Sequence, residues 1–446
     1  MSLQSSPSTL PPLAPGLPFV GSILALANDA QDFFYTQYRE LGKVFRVRAL
    51  GNEFKVLAGP EINMLMGTQA EAFSAWDTWE PIMINFGGRK TIAMVDGPEH
   101  ARMRRLMRKS FSREALTSNI PMAVELISGF IKKQELGKRI PVTYFMQHLT
   151  ANILGMLSNE RIPGEYFDDI VYWWTTLLEV HVSHLKPASA LQTKAYHRAR
   201  ARAKEFASMV FHDRKNNRPA EDEDNFLDNL ADVSAQDPDF LNHDEALFLT
   251  LAGYFAGLDT VANVSSFMLY ELLKHPEILT NTRREADQMF ANGTPAADAF
   301  RNMPTLHAVA QETLRLYPIA GVLPRTAAQD LEYGGYVIRK GEQFMIANAA
   351  PHFSPEFYKS PYKFDIGRYR EPRNEHKKRG VFAPFGAGPH TCLGAGLAEV
   401  QIMLMVATLL RYTDFSMDPA NYKLKKAYTP SMTPKGFGIK FTSWRA

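Results

Sequence analysis

Between residues 98 and 315 the hydrophobic positions recur every three to four residues, the spacing of helices with one buried face. Within that region Ala246–Lys274 is apolar with few breaks and predicts one long buried helix. Gly253 and Gly257 inside it each weaken a helix by about 1 kcal/mol relative to alanine. A glycine there lets something approach the backbone closely, either a crossing helix or a bound group. Residues 42–58 alternate instead: Val44, Phe45 and Val47, a turn at Gly51-Asn52, then Phe54, Val56 and Leu57, the pattern of a β-hairpin. Residues 1–20 carry Pro7, Pro11, Pro12, Pro15 and Pro18 and read as an extended leader. After Pro318 short β-like pieces follow (Val322–Arg325, Tyr336–Ile338, Phe344–Ala347). Residues 350–391 hold no long periodic element, and a final helix is predicted from Gly394 to Tyr412. Glu221–Asp224 with Asn225 reads as a solvated acidic loop. With no repeat and no linker, the pattern predicts a single domain over 1–446, mainly α with a minor β part.

Composition narrows this picture. Hydrophobic residues make up 45% of the chain and charged residues 22%, which excludes a disordered or fibrous protein. Cys392 is the only cysteine, so an internal disulfide, a cysteine-rich zinc site and an all-cysteine iron–sulfur cluster are excluded. A net charge of +3 gives no reason to expect a nucleic-acid partner. The most apolar early stretch, Ile23–Ala27, is far below the roughly 20 residues that cross a bilayer. The expectation is therefore a cytoplasmic protein with no membrane span and no signal peptide.

The chemistry concentrates around Cys392, in Phe385-Gly386-Ala387-Gly388-Pro389-His390-Thr391-Cys392-Leu393-Gly394. Glycines on both sides place backbone, not side chains, close to the sulfur. Backbone N–H groups and the start of the following helix both favour a thiolate. A rigidly held thiolate suits the axial position of an iron porphyrin; the bland alternative is a buried, inert thiol. The pattern F-x-x-G-x-[H/R]-x-C-x-G resembles the haem-ligand loop of the cytochrome P-450 family, with Phe385, Gly388, His390, Cys392 and Gly394 in place.

Further motifs follow in that family's order. Glu312-Thr313-Leu314-Arg315 matches E-x-x-R, although two such residues on a helix are often a surface ion pair. The resemblance implies a buried structural cluster with Arg368, in Phe364-Asp365-Ile366-Gly367-Arg368-Tyr369. Here Ile366 replaces the usual proline and Tyr369 the phenylalanine. Ala256-Gly257-Leu258-Asp259-Thr260 resembles the oxygen-activation motif [A/G]-G-x-[D/E]-T. Ala256 and Thr260, four apart, share one helical face. Thr260 offers a hydroxyl, and Asp259 a carboxyl for proton delivery. His100 and Arg104 match a pair that the family places on a haem propionate, and Arg325 and His390 occupy two further propionate positions.

The resemblance spans residues 10 to 441 and implies the cytochrome P-450 fold, a triangular helical domain with a small β-sheet region. It also implies haem b with Cys392 as axial ligand, dioxygen as co-substrate, and proton delivery by Asp259 and Thr260. Ala256, Gly257, Phe385, Gly388 and Gly394 would lie against the cofactor. The implied activity is hydroxylation or epoxidation of an apolar small molecule of the terpenoid, steroid, fatty acid or polyketide class. The segments analogous to the family's substrate lining hold Trp79, Ile82, Met83, Ile84, Val322, Leu323 and Met432, with Trp173 and Trp174 in a roof helix. The same residues would equally suit a core. No flavin, nicotinamide or iron–sulfur motif is present, so electrons would come from a ferredoxin or flavodoxin with its reductase. Arg102, Arg105, Arg108 and Lys109 with Lys377, Lys378 and Arg379 would form the basic face that steers such an acidic donor. A monomer is expected. A peroxide-driven hydroxylase, an oxygen-independent isomerase and a non-enzymatic haem-binding sensor are the competing readings; Asp259-Thr260 argues against the first two.

Overall fold

The computed structural model describes residues 10–49, 51–216, 225–428 and 431–445; Pro7 and the acidic stretch Glu221–Asp224 lie outside them. The chain forms two compact units. One comprises the residues up to Trp79, Ala93–Gly97 and Ala320–Cys392. The other comprises Glu80–Ile92, Pro98–Ile319 and the chain from Leu393 on.

The first unit is built on a five-stranded sheet. Its strands are β1 (Val44–Ala49), β2 (Asn52–Ala58), β3 (Phe73–Ser74), β4 (Leu323–Ala327) and β5 (Gln343–Ala347), in the order β1-β2-β5-β4-β3. The predicted hairpin is β1–β2, with Val44 opposite Leu57 and Val47 opposite Phe54. β2 then runs parallel to β5. Because strand side chains alternate between faces, Val44, Leu57, Phe344 and Ile346 enter one apolar cluster while Phe45, Val47, Val56 and Ala347 enter another. Helix α1 (Ile23–Leu41) adds Phe33 and Phe34 to the second cluster; α2 (Pro60–Thr68) adds Ile62 and Met66 to the first. The described part of the leader bridges from Leu13 to Arg46 and then closes a tight turn over residues 18–20, where Leu17 pairs with Gly21. Residues 350–391 contain only short 3-10 turns, as the absent periodicity predicts.

The second unit is helical, with a small three-stranded sheet and a two-stranded one. Its main helices are α3 (Gly97–Met107), α4 (Val142–Asn159), α5 (Phe167–His181), α6 (Lys194–Asn216), α7 (His243–Phe255), α8 (Thr260–Lys274), α9 (Pro304–Leu316) and α10 (Ala395–Tyr412). Its core is rich in rings: Trp173, Phe86, Phe248 and Phe255 pack together, and Trp174 stacks on Phe255 with centroids 3.9 Å apart. Trp173 and Trp174 are thus buried core residues.

The long helix expected over Ala246–Lys274 is broken. α7 ends at Phe255 and α8 begins at Thr260, with the motif Ala256–Asp259 between them as a turn. The hydrogen bonds change register there. Leu258 N–H reaches Phe255 O at 3.1 Å, and Ala262 N–H reaches back five residues to Gly257 O at 3.4 Å. Two segments are apolar and long enough to cross a membrane by length and composition, His243–Lys274 and Ala395–Tyr412. Their apolar windows are 83% and 67% buried within the protein, so both serve as core.

Candidate active site

In the first unit, the loop from Phe385 to Cys392 is held by its own backbone. Cys392 N–H donates to Phe385 O at 2.9 Å. Gly388 O accepts from both Thr391 N–H (3.0 Å) and Thr391 Oγ1 (2.7 Å). Gly386 and Gly388 adopt φ of +73° and +74°, the left-handed region that glycine enters without strain. Gly388 also lies against α2, where a Cβ would stand 2.1 Å from Met66 O. No side chain larger than hydrogen fits there. The loop ends on Cys392, which is exposed. A thiol normally buries as a small hydrophobe, so an exposed one on a stiff loop is placed for chemistry.

Arg325, on β4, is half-buried. Its Nη1 donates to Pro324 O at 2.7 Å, and among the described residues it forms no ion pair. Burial lowers the affinity of this guanidinium for its proton, with the Asp96 charge a partial counterweight. A desolvated cation of this kind calls for an anion. His390 does not share that condition: its Nε2 lies 2.7 Å from Asp96 Oδ1. Burial pushes the Asp96 carboxyl up, but hydrogen bonds from His390 and Ser74 and the charges of His390 and Arg325 hold it below the usual range. His390 thus has a carboxylate partner within the protein on one of its two ring nitrogens. Asp96 was not singled out from sequence, because 294 residues separate it from His390 and no local signal joins them.

In the second unit, the break between α7 and α8 sets Asp259 and Thr260. Ala256 and Thr260 are exposed while Gly257 and Leu258 are buried, so the two small residues do share the accessible side. Thr260 Oγ1 donates to Ala256 O at 3.3 Å. Gly257 faces the other way. A Cβ on it would meet Thr150 and Leu154 of α4 at 2.7 and 2.8 Å, and Gly253 similarly faces Ser158 and Asn159. Both glycines thus serve the crossing helix, and the expectation of Gly257 against a cofactor yields to that packing. Asp259 Oδ2 is buried with no hydrogen-bond partner. Burial pushes its carboxyl up to about 6, and the charge of Glu179 adds to the rise. His100 is buried in α3, and Arg104 follows one turn later, half-buried.

Glu312 and Arg315 form a bidentate pair on α9 with both side chains at 0% exposure, Nε–Oε2 and Nη2–Oε1 both 2.8 Å. Arg368, also fully buried, belongs to the first unit. There it pairs with Glu375 at 2.8 Å and donates to the carbonyls of Ser360 and Lys363. Of the apolar candidates, Ile82 and Met83 are 0% exposed and Met432 1%. These three are core residues and present no surface to a ligand, a correction to the sequence reading. Trp79, Val322 and Leu323 keep partial exposure, and Ile84 is exposed. Leu323 Cδ1 lies 3.5 Å from where a Cβ on Gly386 would stand, beside the cysteine loop.

The motifs in their sequence order, a glycine-locked exposed cysteine and a mainly α architecture with a small sheet point to a haem-thiolate class of protein. The cytochrome P450 family pattern matches residues 11–441 and runs through both units; the chain belongs to that family and is a cytochrome P450 monooxygenase. The chain is 26% identical to abscisic acid 8'-hydroxylase 2 of Arabidopsis thaliana over 97% of its length and 90% of that protein's. It is 37% identical to the sterol 14alpha-demethylase of Mycolicibacterium vanbaalenii in a match spanning 50% of this chain and 51% of that one. Among solved structures, the cytochrome P450DA heme domain superposes with a TM-score of 0.83 at 21% identity, covering 98% of both chains. The retinoic acid-bound cyanobacterial CYP120A1 superposes at 0.81 and 24% identity, covering 98% of this chain and 100% of that one. The family implies haem with a cysteine thiolate ligand. Two features of this structure fit that group: exposed Cys392 on its stiff loop, and the desolvated, anion-seeking Arg325.

Proposed function

We propose that this chain hydroxylates or epoxidises an apolar small molecule with dioxygen, using electrons from a separate ferredoxin- or flavodoxin-type donor and its reductase. The observation that carries this reading is Cys392, exposed at the end of a loop that its own hydrogen bonds and two positive-φ glycines make rigid. Haem b, when bound through Cys392, supplies dioxygen binding and activation.

The chain's own residues divide the remaining work. Phe385 and Gly388 hold the cysteine loop through the bonds already described; Gly394, at the N-cap of α10, follows it. His100 and Arg104 of the second unit and Arg325 of the first are the donors we assign to the carboxylates of the cofactor; within the first unit Asp96 holds His390. Asp259, with its carboxyl pushed up to about 6, carries a proton into the weakly acidic range, which is what a donor working near neutrality requires. Thr260 offers its hydroxyl on the accessible side with Ala256. Glu312, Arg315 and Arg368 are structural.

Trp79, Val322 and Leu323 are the substrate-contact candidates that keep exposure. Sterols, abscisic acid and retinoic acid, named for three relatives, are all isoprenoid, which favours the terpenoid and steroid classes over fatty acids and polyketides. Of the basic residues proposed to steer an electron donor, Arg102 is held by Asp237 at 2.6 Å, whereas Arg105, Arg108 and Lys109 are exposed or half-buried on and after α3. A cytoplasmic monomer remains our proposal.

Thr260→Ala tests the mechanism. With a surrogate ferredoxin and reductase, the fraction of reductant recovered as product should fall several-fold while reductant is still consumed. Unchanged coupling would remove Thr260 from proton delivery and favour the peroxide-driven alternative. A terpenoid and steroid panel read by haem spin-state shift tests the substrate class, and responses confined to fatty acids would contradict it.

A further inference from the structure

Three side chains from distant segments converge on the stretch that leads into the cysteine loop, all within the first unit. Asn63 of α2 is 3% exposed; Asn348, directly after β5, and His352, in the 3-10 turn Ala350–Phe353, are both 0% exposed. Buried amides and imidazoles cost stability unless their polar atoms find partners. Asn63 Nδ2 donates to Asn348 O at 2.9 Å and to Gly380 O at 2.8 Å. Asn348 Nδ2 donates to Ala383 O at 3.0 Å, and Ala383 N–H donates to His352 Nε2 at 3.1 Å. The His352 ring also stacks on Phe382, with centroids 5.5 Å apart. Ala383 O accepts a second bond, from Gly386 N–H at 3.2 Å. Ala383 is thus held at its N–H and at its carbonyl two residues before Phe385, whose own carbonyl takes the Cys392 N–H. Helix α2 braces this stretch at Gly380 as well as at Gly388, since a Cβ on Gly380 would stand 2.2 Å from Pro60 O.

We propose that Asn348 and His352 are positioning residues for Cys392: acting through Ala383, they fix the entry of its loop and with it the place of the sulfur. Asn63 fixes Asn348 in turn. The direction of each hydrogen bond makes the roles specific. Asn63 Oδ1 and Asn348 Oδ1 accept no hydrogen bond among the described residues, so both amides act through their donor side. An apolar side chain of similar size would fill the same space and lose that contact. His352 serves as an acceptor at Nε2, which places its ring proton on Nδ1. Pro384 has no N–H, so Ala383 supplies the last backbone donor before Phe385. Partners one step removed from a metal ligand set the orientation of that ligand.

This inference rests on Cys392 as the haem ligand, and two readouts separate it from that reading. Hydrogen exchange of residues 381–392, followed by mass spectrometry in the haem-free full-length protein, reads the hold on the loop. The carbon monoxide difference spectrum of the haem-loaded protein reads the ligand. Asn348→Leu and His352→Leu should each speed exchange of 381–392 about threefold to tenfold, the worth of one hydrogen bond. Each should also cut the red-shifted Soret fraction several-fold. His352→Gln, which keeps an acceptor, should retain most of both. Val56→Ala is the control: Val56 is fully buried in an apolar cluster that contains nothing from 380–392. It too lowers the denaturant midpoint but should leave both readouts near those of the parent. If Asn348→Leu does not fold, the two His352 variants decide. Losses in Val56→Ala as large as in the leucine variants, or His352→Gln as damaging as His352→Leu, would overturn the proposal. Faster exchange with an unchanged spectrum would overturn it as well. A parent without a red-shifted band would instead refute Cys392 as ligand, and the hold on the loop would stand or fall on exchange alone.

Discussion

Gly388→Ala is the sharpest single perturbation of the cysteine loop. The added Cβ would stand 2.1 Å from Met66 O and 2.7 Å from Met66 C, both backbone atoms of α2. An ordinary contact of this kind needs about 3.5 Å, so helix or loop must move by roughly 1.4 Å. Alanine at φ +74° adds roughly 1–2 kcal/mol of left-handed strain. Strain and displacement together place the substitution in the diagnostic tail of mutational effects, about 4 kcal/mol. The comparison with neighbouring glycines isolates the cause. Gly386→Ala has the same positive φ but meets only Leu323 Cδ1 at 3.5 Å, so it should cost about 1–2 kcal/mol. Gly394→Ala meets nothing within 4 Å at an ordinary φ of −91° and should cost under about 1 kcal/mol. Denaturant unfolding midpoints of the three variants give the order directly. The carbon monoxide difference spectrum of each reports how much cysteine-ligated haem survives, and Gly388→Ala should lose most of it. Equal effects of Gly388→Ala and Gly386→Ala would refute the reasoning, since they share φ and differ only in the contact with Met66.

Three further outcomes follow from the geometry. Arg325→Met removes a half-buried, desolvated cation that forms no ion pair among the described residues, so the haem-free protein should be at least as stable as the parent while haem affinity falls; lower stability of the haem-free variant would contradict this. Glu312→Gln leaves the fully buried Arg315 without its carboxylate and should cost about 3–5 kcal/mol, read by denaturant midpoint or by loss of soluble protein. Asp259→Asn has a pH signature. A carboxyl raised to about 6 when folded destabilises the protein as pH climbs through the interval from its unfolded value near 4 up to 6. The asparagine variant should therefore be more stable than the parent by about 2–3 kcal/mol at pH 7, with the difference gone at pH 4; a constant difference would contradict the assignment.

The cysteine loop was readable because its chemistry is contiguous: Phe385, Gly388 and Cys392 lie within eight residues, and their spacing survives folding unchanged. Asp259 and Thr260 were readable for the same reason, but the break between α7 and α8 was not. Ala256-Gly257-Leu258-Asp259 carries no proline, and the apolar pattern runs through it, so periodicity predicts continuous helix. Ile82, Met83 and Met432 were misplaced because an apolar residue facing a ligand and one facing core look alike in sequence; only burial separates them. The Asp96–His390 pair depends on a contact between distant segments, to which local spacing is blind. The hairpin β1–β2 was legible, yet the sheet that joins it to β4 and β5 nearly 300 residues later was not, because strand pairing across that distance is set by tertiary packing.

The central claim is that Cys392 ligates haem as a thiolate, and the absorption spectrum of the reduced protein with and without carbon monoxide tests it most directly. The account predicts a strongly red-shifted Soret band on carbon monoxide binding, lost in Cys392→Ser. A band at the position of histidine-ligated haem in freshly prepared protein, or no haem at all, would contradict it.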